Sequence, residues 1–434
     1  MKKDYQTNGS RAVTGADAIV LPDAVSVTLA ELAGAVKEGL LALAVGAGVQ
    51  VMQAIMDDNV TTICGPRGRH DPNRTAVRHG DEAGSVTLGG RRIPVRRPRV
   101  RSSDRSAEVA VPAYELFSST ELLGELALNK MMAKLSARRY GVGLEPVGTE
   151  IDAMARSTSR SAVSRRFVAA TERVLDEMMH ADLSGLDLVA LLLDGVHFAE
   201  HLCVVALGIA IDGTKHPLGV VEGSTENATV VKDLLTDLRA RGLDVTRPVL
   251  VVIDGAKALA AAVREVFDRP VIQRCQLHKI RNVQRHLNDA MAATVATKMR
   301  AAYRNPDVLA AEATLEELAR SLDKGHPGAA GSLREGLVQT LTIGRLGVPP
   351  TLARTLRSTN AIESMIEIAR DHSTNVKRWR DGTMALRWCA AGMREAAKQF
   401  RRVNGYLHLP ALRAALDKHF ELNVTPVRDN EEAA

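Results

Sequence analysis

Three acidic residues sit in short contexts that suit metal-dependent phosphoryl transfer: Asp194 in LLLDGVHF, Asp254 in LVVIDGAK and Glu363 in STNAIES. Asp194 and Asp254 each follow a run of Val, Leu and Ile and precede Gly, so each is predicted at the C-terminal end of a buried strand. Glu363 lies in a helical stretch. Carboxylates from two strands and a helix can converge on a pair of Mg²⁺ ions, which activate the attacking oxygen and stabilise the leaving oxygen during displacement at phosphorus.

The hydrophobic periodicity predicts which elements position these acids. After residue 186 the periodicity changes from helical to strand-like. It predicts three strands (188–196, 202–211 and 217–222), then a helix (227–241), a strand (249–254), a helix (257–267) and a last strand (271–274). This order is typical of an α/β ribonuclease-H-like catalytic core with a mixed sheet flanked by helices. The long gap before Glu363 is rich in Ala, Leu, Glu and Arg at helical spacing, which predicts an all-α insertion.

The region before this core is predicted to be a mainly α-helical DNA-binding region. Residues 24–58 have helical spacing, 65–90 read as a loop or weakly ordered β segment, and 118–179 read as helices broken at 141–146. Within the last of these, residues 147–167 resemble a helix-turn-helix, although a plain amphipathic hairpin has the same pattern. Its candidate DNA contacts are Ser159, Arg160, Ser164 and Arg165.

Composition narrows the class of protein. The net charge of +6 and the pI near 9.2 favour a polyanionic partner, whereas 3% aromatic residues argue against binding single strands mainly by base stacking. Four scattered cysteines indicate neither a disulfide framework nor a four-cysteine zinc site, and we expect a reducing, intracellular setting. The start lacks an apolar signal core and apolar runs are short, so we expect a cytoplasmic protein, acting at the nucleoid, with no membrane partner.

Arginines are concentrated between residues 91 and 105, where seven stand against one acidic residue and two prolines exclude a regular helix. An extended arm of this kind suits phosphate neutralisation or insertion into a minor groove, and the alternative is a solvated edge strand interrupted by proline. The candidate DNA contacts in this arm are Arg91, Arg92, Arg96, Arg97, Arg99 and Arg101.

Four segments in order, DGVH, VIDGAK, QRCQLHKIRN and STNAIES, resemble the Mutator-type transposases of bacterial insertion sequences, which belong to the DDE superfamily. The resemblance covers most of residues 116–420. It implies a ribonuclease-H-like domain with a helical insertion, Mg²⁺ as cofactor with Mn²⁺ as a substitute, and Asp194, Asp254 and Glu363 as catalytic metal ligands. It also implies cleavage at terminal inverted repeats, attack of the freed 3′-hydroxyl on target DNA, and a homodimer or higher oligomer that brings two ends together.

Further residues are expected to support the site or to contact DNA. Cys275 and His278 have zinc-ligand spacing, but no second such pair completes four ligands, so zinc is not expected. The family carries this Cys and His beside the second acid, which implies support of the site or a DNA contact; the alternative is a buried cysteine with a helix-capping histidine. Asn360 shares the predicted helix face of Glu363 and either orients its carboxylate or caps the helix. The remaining candidate DNA contacts are Lys279, Arg281, Arg285, Lys377, Arg378, Trp379 and Arg380. The alternative for the first three is a solvated helix face, and the alternative for Trp379 is a tryptophan packed under a loop.

The sequence contains no GxxxxGK phosphate loop, so ATP is not expected as a cofactor. The alternatives to a transposase are a non-catalytic, sequence-specific DNA-binding regulator derived from one, and a ribonuclease-H-like nuclease. The predicted domains are a helical region with the arginine arm (1–115), a helix-turn-helix-like domain (116–182), the first part of the core (183–289), the insertion (290–355), the second part of the core (356–423) and a disordered tail (424–434).

Overall fold

A computed structural model describes residues 40–69, 71, 73–144, 147, 149–223 and 227–423. The first 16 residues of the predicted helix at 24–58 and the predicted tail at 424–434 lie outside these described residues. The chain divides into two compact units, and we call the one that ends at Arg166 the N-terminal unit. The other, the C-terminal unit, comprises residues 128–136 and the chain from Phe167 onward. In the described part of the chain, no helix has the length and apolarity needed to cross a bilayer.

The N-terminal unit combines helices with a small sheet. In chain order, up to the long helix that runs into the C-terminal unit, its elements are α1 (Leu40–Cys64), β1 (Ala76–Leu88), β2 (Arg91–Ser102), β3 (Glu108–Val109), α2 (Pro112–Ser118), α3 (Glu121–Met132), a 3-10 turn (Tyr140–Gly143), α4 (Thr149–Met154) and α5 (Arg160–Met179). The strands form an antiparallel sheet in the order β1-β2-β3. The segment predicted as a loop or weakly ordered β segment and the arginine-rich segment, for which an edge strand was the alternative, are therefore strands of one sheet. Helix α1 continues past its predicted end at residue 58.

The predicted arginine arm is strand β2, the middle strand of this sheet. Gly89 and Gly90, with φ of 55° and 76°, form the two-residue turn from β1, which requires a backbone conformation that glycine adopts without strain. Pro94 and Pro98 are tolerated because β3 pairs only with Val100 and Arg101, so elsewhere one side of β2 carries no partner strand in the sheet. A short partner strand thus reconciles two prolines with a continuous β-strand.

Carboxylates of the neighbouring strands neutralise much of the positive charge of β2. Arg96 pairs with Asp81, Arg97 donates to Glu82 at 2.7 Å, and Arg99 donates to Glu108 at 3.0 Å. Arg97 and Arg99 are also bridged to one another because both contact Glu108. Arg101 donates to the carbonyl of Arg105 at 3.5 Å. Sequence composition missed this pairing because the acidic partners lie outside the arginine-rich segment.

Arg91 and Arg92 have internal roles, which corrects their prediction as DNA contacts. Arg91 is 5% exposed, and its guanidinium donates to Asp152 at 2.8 Å and to the carbonyl of Gly89 at 2.9 Å. The guanidinium of Arg92 donates to the hydroxyl and carbonyl of Ser85 at 2.7 Å and 2.8 Å. Both guanidinium groups therefore donate to acceptors of the N-terminal unit itself, in the sheet and, for Asp152, on α4.

The C-terminal unit is built on one mixed sheet. Its further elements are β4 (Leu188–Phe198), β5 (His201–Ala210), β6 (Lys215–Gly223), α6 (Ala228–Ala240), β7 (Val249–Ile253), α7 (Lys257–Val266), β8 (Pro270–Arg274), α8 (Gln276–Gln284), α9 (Asp289–Ala302), α10 (Val308–Leu322), α11 (Pro327–Arg334), α12 (Leu337–Thr340), α13 (Thr342–Arg345), α14 (Pro350–Leu356), α15 (Asn360–His372), α16 (Gly382–Ala397), a 3-10 turn (Tyr406–His408) and α17 (Leu409–Asn423). The strand order is β6-β5-β4-β7-β8. Strands β4, β5 and β6 pair antiparallel, whereas β7 and β8 extend the sheet in parallel from β4. The mixed sheet flanked by helices that was predicted from the sequence is confirmed.

Alternation of side chains along the strands gives this sheet two different faces. On β4, Leu192 packs into a core that also contains side chains of α15, α16 and α17, whereas Leu191 and Leu193 pack into a core with α6 and α7. Strand β7 alternates in the same way, with Val252 on the side of α15. Because the side-chain period of a strand is two residues, the position two residues after each of Leu192 and Val252 faces α15.

The segment α9–α12 forms a helical body with its own apolar core, which also receives side chains from α8, whereas α13 and α14 pack into the core on the α15 side of the sheet. The helical body is fastened to the outer strand β8 by buried amides. Gln273 Nε2 and Gln276 Nε2 both donate to the carbonyl of Thr340, at 3.0 Å and 2.9 Å, and the amide of Ile343 donates to Gln273 Oε1 at 2.8 Å. These bonds satisfy polar groups beside the free edge of β8 and fix the helical body to the sheet.

Lys279 belongs to this junction, which corrects its prediction as a DNA contact. Its side chain is buried, and Nζ donates to the carbonyls of Ser332 and Glu335 at 2.7 Å and 2.6 Å. Burial, with a contribution from the charge of Arg274, lowers the pKa of Lys279 from its ordinary 10.5 to about 8. The ammonium group therefore joins α8 to α11 and does not face solvent.

We expect the stability of the protein to report this buried charge. Between pH 8 and pH 10.5 the unfolded chain holds a proton on Lys279 that the folded chain lacks, so the unfolding free energy rises with pH in that window. From pH 8 to pH 9.5 the wild type should gain about 2 kcal/mol relative to Lys279→Met, at about 1.4 kcal/mol per pH unit. Denaturant unfolding of both proteins at the two pH values measures this difference; an equal gap at both would contradict the assigned burial.

Candidate active site

The pairing of β4 with β7 places Asp194 beside Asp254. The parallel register joins Ala190 to Leu250 and continues to Leu193 and Ile253, so the two aspartates occupy the next positions on neighbouring strands, which lie about 4.8 Å apart. Both also follow the alternation that directs side chains toward α15. Asp254 ends its strand as predicted, but Asp194 lies within β4, which continues to Phe198 as a hairpin with β5. What ends before Asp194 is the parallel pairing, not the strand.

Backbone amides hold both carboxylates in place. Asp194 Oδ1 accepts a hydrogen bond from the amide of Gly195 at 2.9 Å, and Asp254 Oδ1 accepts one from the amide of Ala256 at 2.8 Å. Gly255, with φ of 117°, supplies the turn that carries this amide back toward Asp254. The Asp-Gly pairs of the sequence thus have a local cause, since each aspartate bonds to an amide just after it.

Glu363 approaches from the first turn of α15, and Thr359 fixes its carboxylate. Thr359 is the residue before the helix, is fully buried, and donates its hydroxyl proton to Glu363 Oε1. Asn360 is exposed at the first position of the helix. The orienting role that was predicted for Asn360 therefore belongs to Thr359, which sequence reasoning missed. A Ser-Thr pair before an amphipathic run is a recognised helix-start signal and could have identified it.

Cys275 and His278 adjoin this contact. Cys275 precedes α8, is fully buried, and its sulfur accepts hydrogen bonds from the amides of His278 at 3.5 Å and Thr359 at 3.4 Å. His278 Nδ1 lies 3.3 Å from the hydroxyl of Thr359 and 3.8 Å from Glu363 Oε1. The amide of Gln276 also donates to the carbonyl of Arg357 at 3.0 Å, which ties the start of α8 to the chain before α15. The Cys-x-x-His motif thus adjoins the acidic helix.

The electrostatics of the cluster indicate an excess of negative charge. Burial, reinforced by the charges of Asp254 and Glu363, raises the pKa of Asp194 to about 7, against the opposing bond from Gly195 and the charge of His278. The bond to Cys275 raises the pKa of His278 against its burial, with further contributions from the charges of Cys275, Glu363 and Asp194. Burial acts to raise the pKa of the Cys275 thiol, but its bonds to His278 and Thr359 outweigh this and lower it.

Two sets of side chains in the site are of types that bind metal ions. The carboxylates of Asp194, Asp254 and Glu363 are ligands that Mg²⁺ prefers, and the charges of Asp254 and Glu363 add to burial in raising the pKa of Asp194. In the other set, Cys275, His278 and Glu363, the ligand atoms all lie within 4.8 Å of one another, which no other group of such residues does in the described part of the chain. Sulfur, nitrogen and carboxylate ligands suit zinc. The expectation that zinc is not used therefore stays a prediction.

Comparison with known proteins identifies the family of the chain. The model of the family "Transposase, Mutator family" matches residues 27–403. The chain belongs to the Mutator family of transposases. The transposase for insertion sequence element IS6120 of Mycolicibacterium smegmatis is 32% identical over 237 residues, which cover 53% of this chain and 72% of the relative. The transposase for insertion sequence element ISRM5 of Rhizobium meliloti (strain 1021) is 25% identical over 366 residues, which cover 84% of this chain and 90% of the relative.

Two arginines of this transposase extend from the acids along α8. Arg281 is exposed, and its guanidinium lies 3.9 Å from Glu363 Oε2. Arg285 is exposed one turn further along, where with His286 it lines a cavity of about 620 Å³ between α8 and α11. Unlike Lys279, both lie at the surface, as a DNA contact requires.

Two other predicted groups of DNA contacts also lie at the surface. Ser159, Arg160, Ser164 and Arg165 are exposed at the start of α5, where the hydroxyl of Ser159 accepts a hydrogen bond from the amide of Ala162 at 3.3 Å. Lys377, Arg378 and Arg380 are exposed in the loop between α15 and α16. Trp379 in the same loop is half-buried and packs against Phe198 with ring centroids 4.9 Å apart.

Removal of the Thr359 hydroxyl should impair the site without unfolding the protein. Thr359→Val keeps the side-chain shape but leaves Glu363 without its donor, and we expect DNA cleavage to fall about 10- to 100-fold. Thr359→Ser, which keeps the hydroxyl, should restore most of the activity. Asn360→Ala is the matched control and should cleave as the wild type does. Equal loss in Thr359→Val and Asn360→Ala would contradict the assignment.

Proposed function

We propose that this protein is a DDE-type transposase that cleaves DNA at the ends of an insertion sequence and joins the freed 3′-hydroxyl to a second DNA site. The observation that carries this proposal is the convergence of Asp194, Asp254 and Glu363 from two adjacent strands and a facing helix, with a pKa of about 7 for Asp194. Membership of the Mutator family supports the class of reaction. Hydrolysis and strand transfer are the same displacement at phosphorus, so one site serves both.

The catalytic domain in this proposal is a ribonuclease-H-like core. Support comes from the sheet, in which a three-stranded antiparallel meander is extended in parallel by β7 and β8. The helical body α9–α12, followed by α13 and α14, is then the insertion between the second aspartate and the glutamate. Its separate apolar core and its attachment to β8 suit a segment added to a complete sheet.

Asp194, Asp254 and Glu363 would hold Mg²⁺, or Mn²⁺ in its place. The metal supplies Lewis-acid stabilisation of charge on the phosphate and on the attacking and leaving oxygens. The protein's own contribution is orientation: amides of Gly195 and Ala256 hold the aspartates, and Thr359 holds the glutamate. Cys275 and His278 act through Thr359 and are positioning residues.

DNA would pass along α8. Arg281 beside Glu363 and Arg285 one turn further present guanidinium groups in a row from the acids to the cavity lined by His286. Guanidinium groups bind phosphate through paired hydrogen bonds, so this row suits a DNA backbone. The exposed residues at the start of α5 in the N-terminal unit would bind the terminal repeats, and a dimer would bring two ends together.

The acids provide the direct test. Asp194→Asn, Asp254→Asn and Glu363→Gln should each reduce Mg²⁺-dependent cleavage and joining of DNA that carries the flanking sequences of this gene by about 10³-fold or more. Asp233→Asn, which changes an exposed aspartate of α6, is the control. If the three variants retain full strand transfer, the catalytic assignment is wrong. Binding without cleavage by the wild type would favour a regulator, and cleavage without joining a nuclease.

The proposed DNA path predicts a change in salt dependence. Loss of one phosphate contact reduces the slope of log K against log salt concentration by about 0.9. Arg285→Ala should show this change with cleavage chemistry intact at saturating DNA, whereas Arg281→Ala should also slow cleavage because Arg281 adjoins Glu363. Arg239→Ala on α6 is the control and should leave the slope unchanged. A slope equal to that of the wild type for Arg285→Ala would exclude it from the path.

A further inference from the structure

A second cavity, of about 700 Å³, lies in the C-terminal unit beside the acidic cluster. We call it the Trp379 cavity. Its walls are the end of β4 at His197 and Phe198, the second half of α15, and the loop that carries Trp379. The volume is within the range of pockets that bind small ligands. The proposed reaction does not use this cavity, and the side chains that line it indicate the class of ligand that it would bind.

One wall is an aromatic surface. Trp379 lies 4.9 Å from Phe198 at an interplanar angle of 50° and 6.3 Å from Trp388 at 76°. Trp388 is 3% exposed and contacts Phe167 at 4.7 Å, so a buried aromatic stack fixes the indole of Trp379 from behind. The part of the indole that is not packed lines the cavity. A rigid, partly exposed indole is a surface on which a flat ring can stack.

Hydrogen-bonding groups and cations surround this surface. Ser364 and Gln399 are exposed and line the cavity, so a hydroxyl and an amide are available to the edge of a flat polar ring. Arg370 adds a guanidinium group to the lining. Asp371 also lines the cavity, but its charge is paired with Lys134 at 2.6 Å. An aromatic wall, amide and hydroxyl groups and a guanidinium together match the base, sugar and phosphate of a nucleotide.

The cavity adjoins the acids through shared elements. Ser364 directly follows Glu363 on α15, and Glu367 in the lining is one helical turn, about 6 Å, beyond it. His197 is on the same strand as Asp194, about 10 Å along it. A nucleotide in the cavity would therefore lie within about three nucleotides of a phosphate held at the acids, given a rise of about 3.4 Å per nucleotide.

We propose that the Trp379 cavity receives one unpaired base of the DNA strand next to the bond that is cleaved, stacked on Trp379. This inference rests on the proposed function and adds a subsite to it. A base taken out of the duplex loses its stacking partners, and an indole with polar groups at its rim replaces them. Lys377 and Arg378 are exposed in the same loop and would contact the flanking phosphates, whereas the guanidinium of Arg380 is paired with Asp381 at 2.8 Å. One base in one cavity also agrees with the low aromatic content of the chain.

Fluorescence tests the subsite without any need for cleavage. The chain contains only two tryptophans, and Trp388 is buried, so stacking of a base should quench the emission of Trp379. The probe is single-stranded oligodeoxyadenylate of about ten nucleotides, added to the full chain. Its emission should fall in the wild type and in Trp388→Phe, and should not change in Trp379→Phe. An abasic strand of the same length offers phosphates alone and should not quench.

Cleavage assays test whether the base is used in the reaction. Trp379→Ala should cleave fully paired DNA about tenfold more slowly, and a mismatch next to the cleaved bond should restore much of the rate because the base is then already unpaired. Loss without rescue would indicate a structural role and overturn the proposal. So would quenching that persists in Trp379→Phe, or equal quenching by the abasic strand.

The two proposals fail in different ways. Asp254→Asn removes the proposed catalysis but should leave oligonucleotide quenching intact, because Asp254 does not line the Trp379 cavity. If the wild type cleaves and joins DNA but shows no quenching by oligodeoxyadenylate, the subsite is wrong and the transposase assignment stands. If quenching depends on Trp379 but no DNA is cleaved with Mg²⁺ or Mn²⁺, the base subsite stands and the catalytic assignment is wrong.

Discussion

The placement of two aspartates side by side at the end of a parallel strand pair is the constraint on which the rest of the C-terminal unit depends. Register forces the carboxylates of Asp194 and Asp254 together on one face, where burial and mutual repulsion raise the pKa of Asp194 to about 7. Such a cluster is costly unless other groups stabilise its charge. Backbone amides and His278 supply part of that stabilisation. In the proposed reaction, a divalent cation would supply the remainder.

The third acid depends on contacts that are distant in sequence. Glu363 is useful only if α15 begins at the right place, and that start is fixed by Thr359 and Cys275, which come from segments separated by the whole helical body. The helical body is in turn held to β8 through Gln273 and Gln276. An insertion at this point of the chain can therefore position the acid and need not be a passive spacer. The buried Lys279 strengthens the same junction between α8 and α11.

The sequence predicted the sheet of the C-terminal unit well because its signal is local. Runs such as Leu250–Ile253 are apolar, short, rich in β-branched residues and followed by Asp-Gly, and these local features are enough to indicate buried strands. In the N-terminal unit the sequence indicated only a weak β segment and an alternative edge strand, because β2 contains two prolines and many arginines. These residues are favourable there only because β3 is short and acidic side chains lie on neighbouring strands. The role of Thr359 was missed for a related reason, since its partners Cys275 and His278 become neighbours only in the folded chain.

The sequence does not distinguish cationic side chains that are bonded inside the protein from those that lie at its surface. Arg91, Arg92 and Lys279 lie in basic segments, as Arg281 and Arg285 do, yet the first three donate to internal oxygens and the other two lie at the surface. Desolvation explains the division, because a buried cation must replace its lost water with fixed acceptors and is then unavailable to a partner. The net charge of +6 counts both kinds alike. Affinity for DNA should therefore follow the exposed rows on α8, on α5 and in the Trp379 loop, and not the total charge.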